Sequence, residues 1–182
     1  MQPEIVAQAV LQCTSLPGRM RALRGIRGSI ILDDTYSATY ETSLMALQTL
    51  YAHQAPQRIA VLGDMRDIGG TSPELHEALG AQCDPSELQW VVTVGELAER
   101  YIAPQAKVQG CQVKSFRNTL EAAVFINSVL EQNALVLFKG SAEGIYLEEA
   151  IKLMLHSTKD ELLLPRQSAA ELEMKSTYFA KE

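Results

Sequence analysis

The sequence predicts an α/β fold: a Rossmann-like, doubly wound, mostly parallel sheet of about six strands flanked by helices. Three observations carry this. Short β-branched or aliphatic runs alternate with longer stretches of helical period, as βα units around a parallel sheet require. Helix starts between the runs are written as capping signals, and polar, glycine-containing segments follow the strands. With 182 residues, 47% of them hydrophobic, the chain suits one domain with a buried core.

Taken in order, Pro3 to Cys13 reads as a helix ahead of a Pro17-Gly18 turn, so residues 1–15 are expected to be a linker helix or the tail of a preceding domain. Ser29 to Asp33 is a strand and Ser43 to His53 a helix. Arg58 to Gly63 is the next strand, after which Thr71 and Glu74 form a capping box for a helix to about Gln82, with Pro73 where a helix start tolerates proline. Trp90 to Val94 is a third strand and Gln112 to Phe116 a weaker one. Asn118 and Glu121 supply a second capping box for a helix to about Gln132. Ala134 to Phe138 is the last clear strand, and Tyr146 to Leu155 closes the series as a helix. The folded domain is expected over 16–156, and 157–182, polar and without a clear strand, as a helical or loosely ordered appendage.

Composition excludes several function classes. The net charge is −6, with Lys and Arg scattered, so the electrostatic footprint of a nucleic-acid binder is missing. Cys13, Cys83 and Cys111 lack zinc or Cys-x-x-Cys spacing and read as reduced core residues; no metal site is expected. No run approaches the roughly 20 apolar residues that span a bilayer, and no basic region precedes an apolar one. A soluble, cytoplasmic protein without membrane insertion is expected. Neither Gly-x-x-x-x-Gly-Lys-Ser/Thr nor Gly-x-Gly-x-x-Gly occurs, which argues against a self-contained P-loop and against a bound dinucleotide. His53, His76 and His156 show no His-Glu-x-x-His spacing, and there is no Gly-x-Ser-x-Gly elbow. His76, near Asp64 at the start of its helix, is read as structural in preference to a ligand contact.

In an open α/β sheet ligands bind outside the carboxyl ends of the strands. Four segments occupy that position: Asp33 to Ser37, Gly63 to Asp67, Val94 to Glu96 and Lys139 to Ser141. If the strands are parallel neighbours, these segments converge. Paired acids, a lysine and glycine-backed loops suit a phosphorylated or carboxylated substrate with Mg²⁺ nearby, because Mg²⁺ favours carboxylate and phosphate oxygens and lysine supplies a point charge. Asp33, Asp34 and Asp64 are equally compatible with capping helices and ordering turns.

Leu16-Pro17-Gly18-Arg19-Met20, the stretch from Ile31 to Thr39 around Asp33-Asp34-Thr35-Tyr36, Ala60 to Met65, and Leu137 to Ser141 together resemble four ordered motifs of the Mur ligases. Ser72, His76 and Gly80 extend the likeness, which covers about Leu16 to Leu155. It is nearest to the branch that joins D-alanyl-D-alanine to a UDP-muramoyl tripeptide through an acyl phosphate in peptidoglycan precursor synthesis. The resemblance implies a C-terminal domain working with its own N-terminal UDP-sugar-binding domain and central P-loop ATPase, the latter holding most of the ATP and Mg²⁺. It implies that Asp33, Asp34, Tyr36, Ser37 and Thr39 lie against the nucleotide, that Asp64, Lys139 and Ser141 hold the incoming amine or dipeptide, and that Arg19 sits at the hinge. No catalytic residue is assigned, and without a P-loop this segment alone is expected to be inactive. Ser37 and Thr39 replace two asparagines of the family pattern, Asp67-Ile68 replaces Glu-Leu, and Ala142-Glu143 stands where arginine is frequent. Glu143 would repel a carboxylate tail. Open alternatives are a related ligase domain with another amine, as in folylpolyglutamate or cyanophycin synthetases, and a stand-alone binding module without ATP chemistry.

Overall fold

The computed structural model describes residues 15–66, 69–141 and 144–180. The expected helix at Pro3 to Cys13 and the substitutions at Asp67-Ile68 and Ala142-Glu143 lie outside them. Six strands form one sheet: β1 (Arg21–Arg24), β2 (Ile30–Asp34), β3 (Arg58–Gly63), β4 (Trp90–Val94), β5 (Val113–Phe116) and β6 (Leu135–Lys139). Their spatial order is β1-β2-β6-β3-β4-β5. β1 runs antiparallel to β2, and every other neighbouring pair is parallel. The helices are α1 (Tyr40–Ala52), α2 (Ser72–Gly80), α3 (Ala103–Val108), α4 (Thr119–Val129), α5 (Glu148–Lys152) and α6 (Ala169–Phe179).

The inner strands read as unbroken apolar runs because both faces of the sheet are covered. Successive residues alternate sides. Ile31, Ile59, Val61, Val136 and Phe138 pack with Ala122 and Ile126 of α4 and Ile151 of α5. Leu32, Ala60, Leu62 and Leu137 pack on the opposite side with Leu47 and Leu50 of α1, Leu79 of α2, and Ile102. The helix after β2 therefore covers one face and the helix after β6 the other, although the two strands are neighbours. Connections leaving in opposite directions open a crevice at the carboxyl ends of β2, β6 and β3, the topological switch point where such sheets bind ligands.

The sequence-derived elements are present with shifted ends. α1 begins three residues earlier than expected, since Thr39 caps it in a box with Thr42. Asn118 caps α4 through the Leu120 and Glu121 amides. The box expected at Thr71 does not form: Thr71 makes no side-chain cap hydrogen bond to α2. The expected Tyr146 to Leu155 helix is confined to α5, because Tyr146 has φ +45°. Two elements were not anticipated, and a third, α6, was expected only as part of a helical or loosely ordered appendage. β1 has one buried side chain, Leu23, between two exposed positions, which gives no period to read. α3 follows a π turn at Ala98–Ile102 that accommodates Pro104 in its first turn. α6 carries a capping box of its own, Ser168 with Glu171.

The chain from Leu155 onward is tied to the sheet's β1 edge. The His156 amide donates to the Arg24 carbonyl at 3.0 Å and the Ile26 amide to the Met154 carbonyl at 2.8 Å. Arg21 reaches the Leu163 carbonyl at 3.3 Å, and Leu164 is buried in the core. This return covers an edge strand that would otherwise present unpaired backbone groups.

Candidate functional site

The turn after β2 is the most tightly built part of the switch-point crevice. Asp33, with no solvent exposure, accepts the Gly18 amide at 3.0 Å on Oδ2. Its Oδ1 accepts the Thr35 amide at 3.2 Å and the Thr35 hydroxyl at 2.6 Å. Burial pushes the carboxyl above its ordinary range, against the pull of the Thr35 and Gly18 hydrogen bonds. Asp34 accepts the Met20 amide at 3.0 Å, and the Tyr36 amide returns to the Gly18 carbonyl at 3.1 Å. The Gly18-Arg19-Met20 segment and the Asp33 to Ser37 segment, separate motifs in the sequence, are thus stitched into one unit. Arg19 completes it, its guanidinium 4.3 Å from the centre of the Tyr36 ring and its Nη1 donating to Ser37 Oγ at 2.9 Å. Tyr36 keeps 46% of its surface exposed.

Lys139 sits at the end of β6, in register with Asp34 on β2. Its Nζ lies 2.7 Å from Asp34 Oδ2 and donates to the Ser37 carbonyl at 2.7 Å. The lysine is buried, which pushes its ammonium down while Asp34 opposes the shift. Neither charge is free for a ligand: the pair answers itself and anchors the turn that carries Tyr36.

The loops after β3 and β6 form a second cluster. Gly63 and Gly140 approach closely, and a Cβ on either would strike Ile145 or Leu147, so glycine stands at the end of β3 and directly after β6, where the loops must touch. The Ser141 amide donates to the Asp64 carbonyl at 3.0 Å, and Ser141 Oγ accepts the Arg66 amide at 2.8 Å. The Asp64 carboxylate accepts the Ala98 amide at 2.8 Å and fills the space a side chain at Gly95 would need. Burial pushes Asp64 up as well. His76 is buried; its Nε2 accepts the Met65 amide at 2.9 Å and its Nδ1 donates to the Ser72 carbonyl at 2.6 Å. Nε2 thus holds the loop after β3, while Nδ1 ties the ring to the first turn of its own helix, α2. A cavity of about 350 Å³ opens beside this cluster, lined by Asp64, Arg66, Ser72 and Glu96.

The C-terminal segment supplies groups that sequence reasoning missed. Glu148, fully buried, pairs with Arg166, whose Nε donates at 2.7 Å, and with Lys175 at 3.2 Å. Lys175 also reaches Glu149 at 2.5 Å. Rings of Tyr146 and Tyr178 meet edge to face at 5.2 Å. A second cavity, of about 410 Å³, lies between α6 and the β2 turn, lined by Tyr36, Ser37, Tyr146, Arg166, Glu171 and Met174. The signal that could have drawn α6 into the fold was the Ser168-to-Glu171 spacing; nothing local marks Glu148 as buried. Among the described residues no three His, Cys, Asp or Glu side chains gather as a metal would require.

Comparison with known proteins shows the family to which this fold belongs. The family model described as Mur ligase, glutamate ligase domain, matches residues 18–142. The chain belongs to the Mur ligase family. Among curated relatives, a UDP-N-acetylmuramoyl-tripeptide–D-alanyl-D-alanine ligase from Bacillus subtilis is 25% identical over 158 residues, covering 85% of this chain and 34% of the relative. A ligase of the same name from Synechocystis is 27% identical over 124 residues, covering 68% and 27%. This Mur ligase domain therefore spans about a third or less of the relatives it matches. MurF from Acinetobacter baumannii superposes with a TM-score of 0.69 at 25% identity, covering 83% of this chain and 33% of the other. Folylpolyglutamate synthase from Thermotoga maritima, at 14% identity and a TM-score of 0.50, shares the fold alone.

Proposed function

We propose that this chain is the C-terminal domain of an ATP-dependent amide ligase of peptidoglycan precursor synthesis, one that adds D-alanyl-D-alanine to UDP-muramoyl tripeptide. The observation carrying the reading is the stitched unit of Gly18 to Met20 with Asp33 to Ser37, which offers an exposed Tyr36 ring and the Arg19 guanidinium at the switch point, in a chain whose curated relatives share that ligase name. In such a reaction ATP converts the tripeptide carboxylate to an acyl phosphate, releasing ADP; the amine attacks the acyl carbon, the C–N bond forms, and phosphate leaves with its electron pair as the amine gives up a proton.

The domain's part is alignment and enclosure. Tyr36, Ser37 and Arg19 face the nucleotide on closure, while Asp33, Asp34 and Thr39 hold the turn that presents them: Asp33 through Gly18 and Thr35, Asp34 through Lys139 and Met20, Thr39 as the cap of α1. Arg19 also serves as the hinge. Asp64, Lys139 and Ser141 shape the floor on which the amine substrate rests. The residues present do not fit a Mg²⁺ site, since both acids of the β2 turn are consumed by internal partners; ATP and Mg²⁺ belong chiefly to the P-loop domain. Among the described residues no helix is long and apolar enough to cross a membrane, which suits work on water-soluble nucleotide precursors in the cytoplasm.

The test is ATP turnover by a ligase carrying this domain together with its ATPase and UDP-sugar-binding domains, given UDP-muramoyl tripeptide with and without D-alanyl-D-alanine. Turnover that requires the dipeptide is expected, and the isolated chain should release no phosphate from ATP. Turnover by the isolated chain, or turnover indifferent to every amine tested, would overturn the reading.

A further inference from the structure

The C-terminal segment lies beyond the residues the family model matches, yet it reaches the β2 turn. Arg166 has φ +55°, a conformation L residues rarely adopt unless the surroundings hold it. Its side chain forms a bridge: Nε and Nη2 engage the two oxygens of Glu148, and Nη2 also donates to the Thr35 carbonyl at 3.1 Å. Thr35 is the residue whose amide and hydroxyl hold Asp33, and it directly precedes Tyr36. Glu148 is fully buried and has a second cation, Lys175, which turns instead toward Glu149. Two cations thus answer one buried carboxylate, and Arg166 is the one that continues to the turn. A planar guanidinium can serve a carboxylate and a carbonyl at once, which a lysine ammonium in the same place cannot match in geometry.

We propose that Arg166 is a positioning residue of the Thr35–Ser37 turn, so that the C-terminal segment forms part of the nucleotide-facing site and is no appendage to the domain. The proposal rests on the reading that this turn faces the nucleotide. It links the buried Glu148 to the direction in which Tyr36 is presented, because the same guanidinium contacts Glu148 and the Thr35 carbonyl. Any displacement of residues 165–167 that withdraws Arg166 leaves the Thr35 carbonyl without this donor.

The experiment compares Arg166→Gln with Lys175→Gln, each of which removes one cation from Glu148, by hydrogen exchange of the whole chain resolved to single amides. The Thr35 and Tyr36 amides are both hydrogen-bonded, so their exchange reports the turn without any nucleotide. Arg166→Gln is expected to speed exchange at these amides by about tenfold, of the order of one hydrogen bond's net contribution, relative to amides of β4. Lys175→Gln should leave that ratio unchanged even if it destabilises the fold. Arg166→Lys, which keeps the charge, is the second variant should the glutamine form fail to fold, and it should loosen the same amides. Equal effects of the Arg166 and Lys175 variants, or no effect of either Arg166 variant on the turn, would overturn the proposal. In the ligase bearing the domain, Arg166→Lys should raise KM for ATP about tenfold by the same reasoning. A loosened turn with unchanged KM would sustain the positioning role and sink the nucleotide-facing reading instead.

Discussion

Asp33 shows how a residue can be placed correctly by sequence and still do something different from what its charge suggests. Its carboxylate accepts from Gly18 on one oxygen and from Thr35 on the other. Asparagine preserves shape but puts an NH₂ where one acceptor is needed, facing an N–H with an N–H. Asp33→Asn should therefore destabilise the domain by about 1–3 kcal/mol, the cost of leaving a buried polar group unpaired, as read by urea unfolding. The pH dependence has a definite sign. Folding raises this carboxyl above 3.8, so the folded state binds more protons in the window from 3.8 up to the raised value. The proton-linked stabilisation is complete below 3.8 and is lost as pH rises through that window. The cost of the substitution should accordingly be greater at the acid end than at neutral pH; a cost that grows with pH across it would contradict the account. Lys139 and Asp34 carry a related lesson. Each was legible as a strand-end charge, but their mutual pairing depends on the register between β2 and β6, residues far apart in sequence. No local pattern could disclose it.

Among the elements, those that bury a stripe or a whole run could be read, and those held by a few contacts could not. β2, β3, β4 and β6 announce themselves because both of their faces are covered. β1 escapes because Leu23 alone among its side chains is buried. Capping chemistry was informative at Asn118, misleading at Thr71, and overlooked at Ser168. The Ser168 cap is testable: its hydroxyl accepts the Glu171 amide, and the Glu171 carboxylate returns to the Ser168 amide at 3.0 Å. Ser168→Ala should cost about 1 kcal/mol, visible as faster amide exchange across Ala169–Phe179 with the β-sheet amides unaffected. Uniform acceleration over the whole domain would mean that α6 has no separate opening and unfolds only with the core. The polar face of α6 gave no helical stripe to recognise; its attachment comes from Glu148, Glu149 and the Tyr146 ring, all supplied by other parts of the chain.

For the molecule as a whole, the convergence of strand-end segments was the part of the site that sequence order could deliver, since parallel strands bring their carboxyl ends to one edge. How those segments brace one another was decided by contacts that no local pattern discloses. The Asp33 to Ser37 turn, backed by Gly18 to Met20, Lys139 and Arg166, presents Tyr36 outward; the Asp64 loop is consumed by Ala98, His76 and Ser141. Under the proposed function the domain contributes when closure brings its edge onto a nucleotide held elsewhere, so the exposed ring is the group on which that proposal depends. The direct measurement is KM for ATP in a ligase carrying this domain with Tyr36→Ala, alongside the thermal midpoint of the domain. The account predicts a KM raised about tenfold, as for the loss of a ring contact on a base, with the midpoint little changed because the ring is half exposed; an unchanged KM at unchanged stability would contradict it.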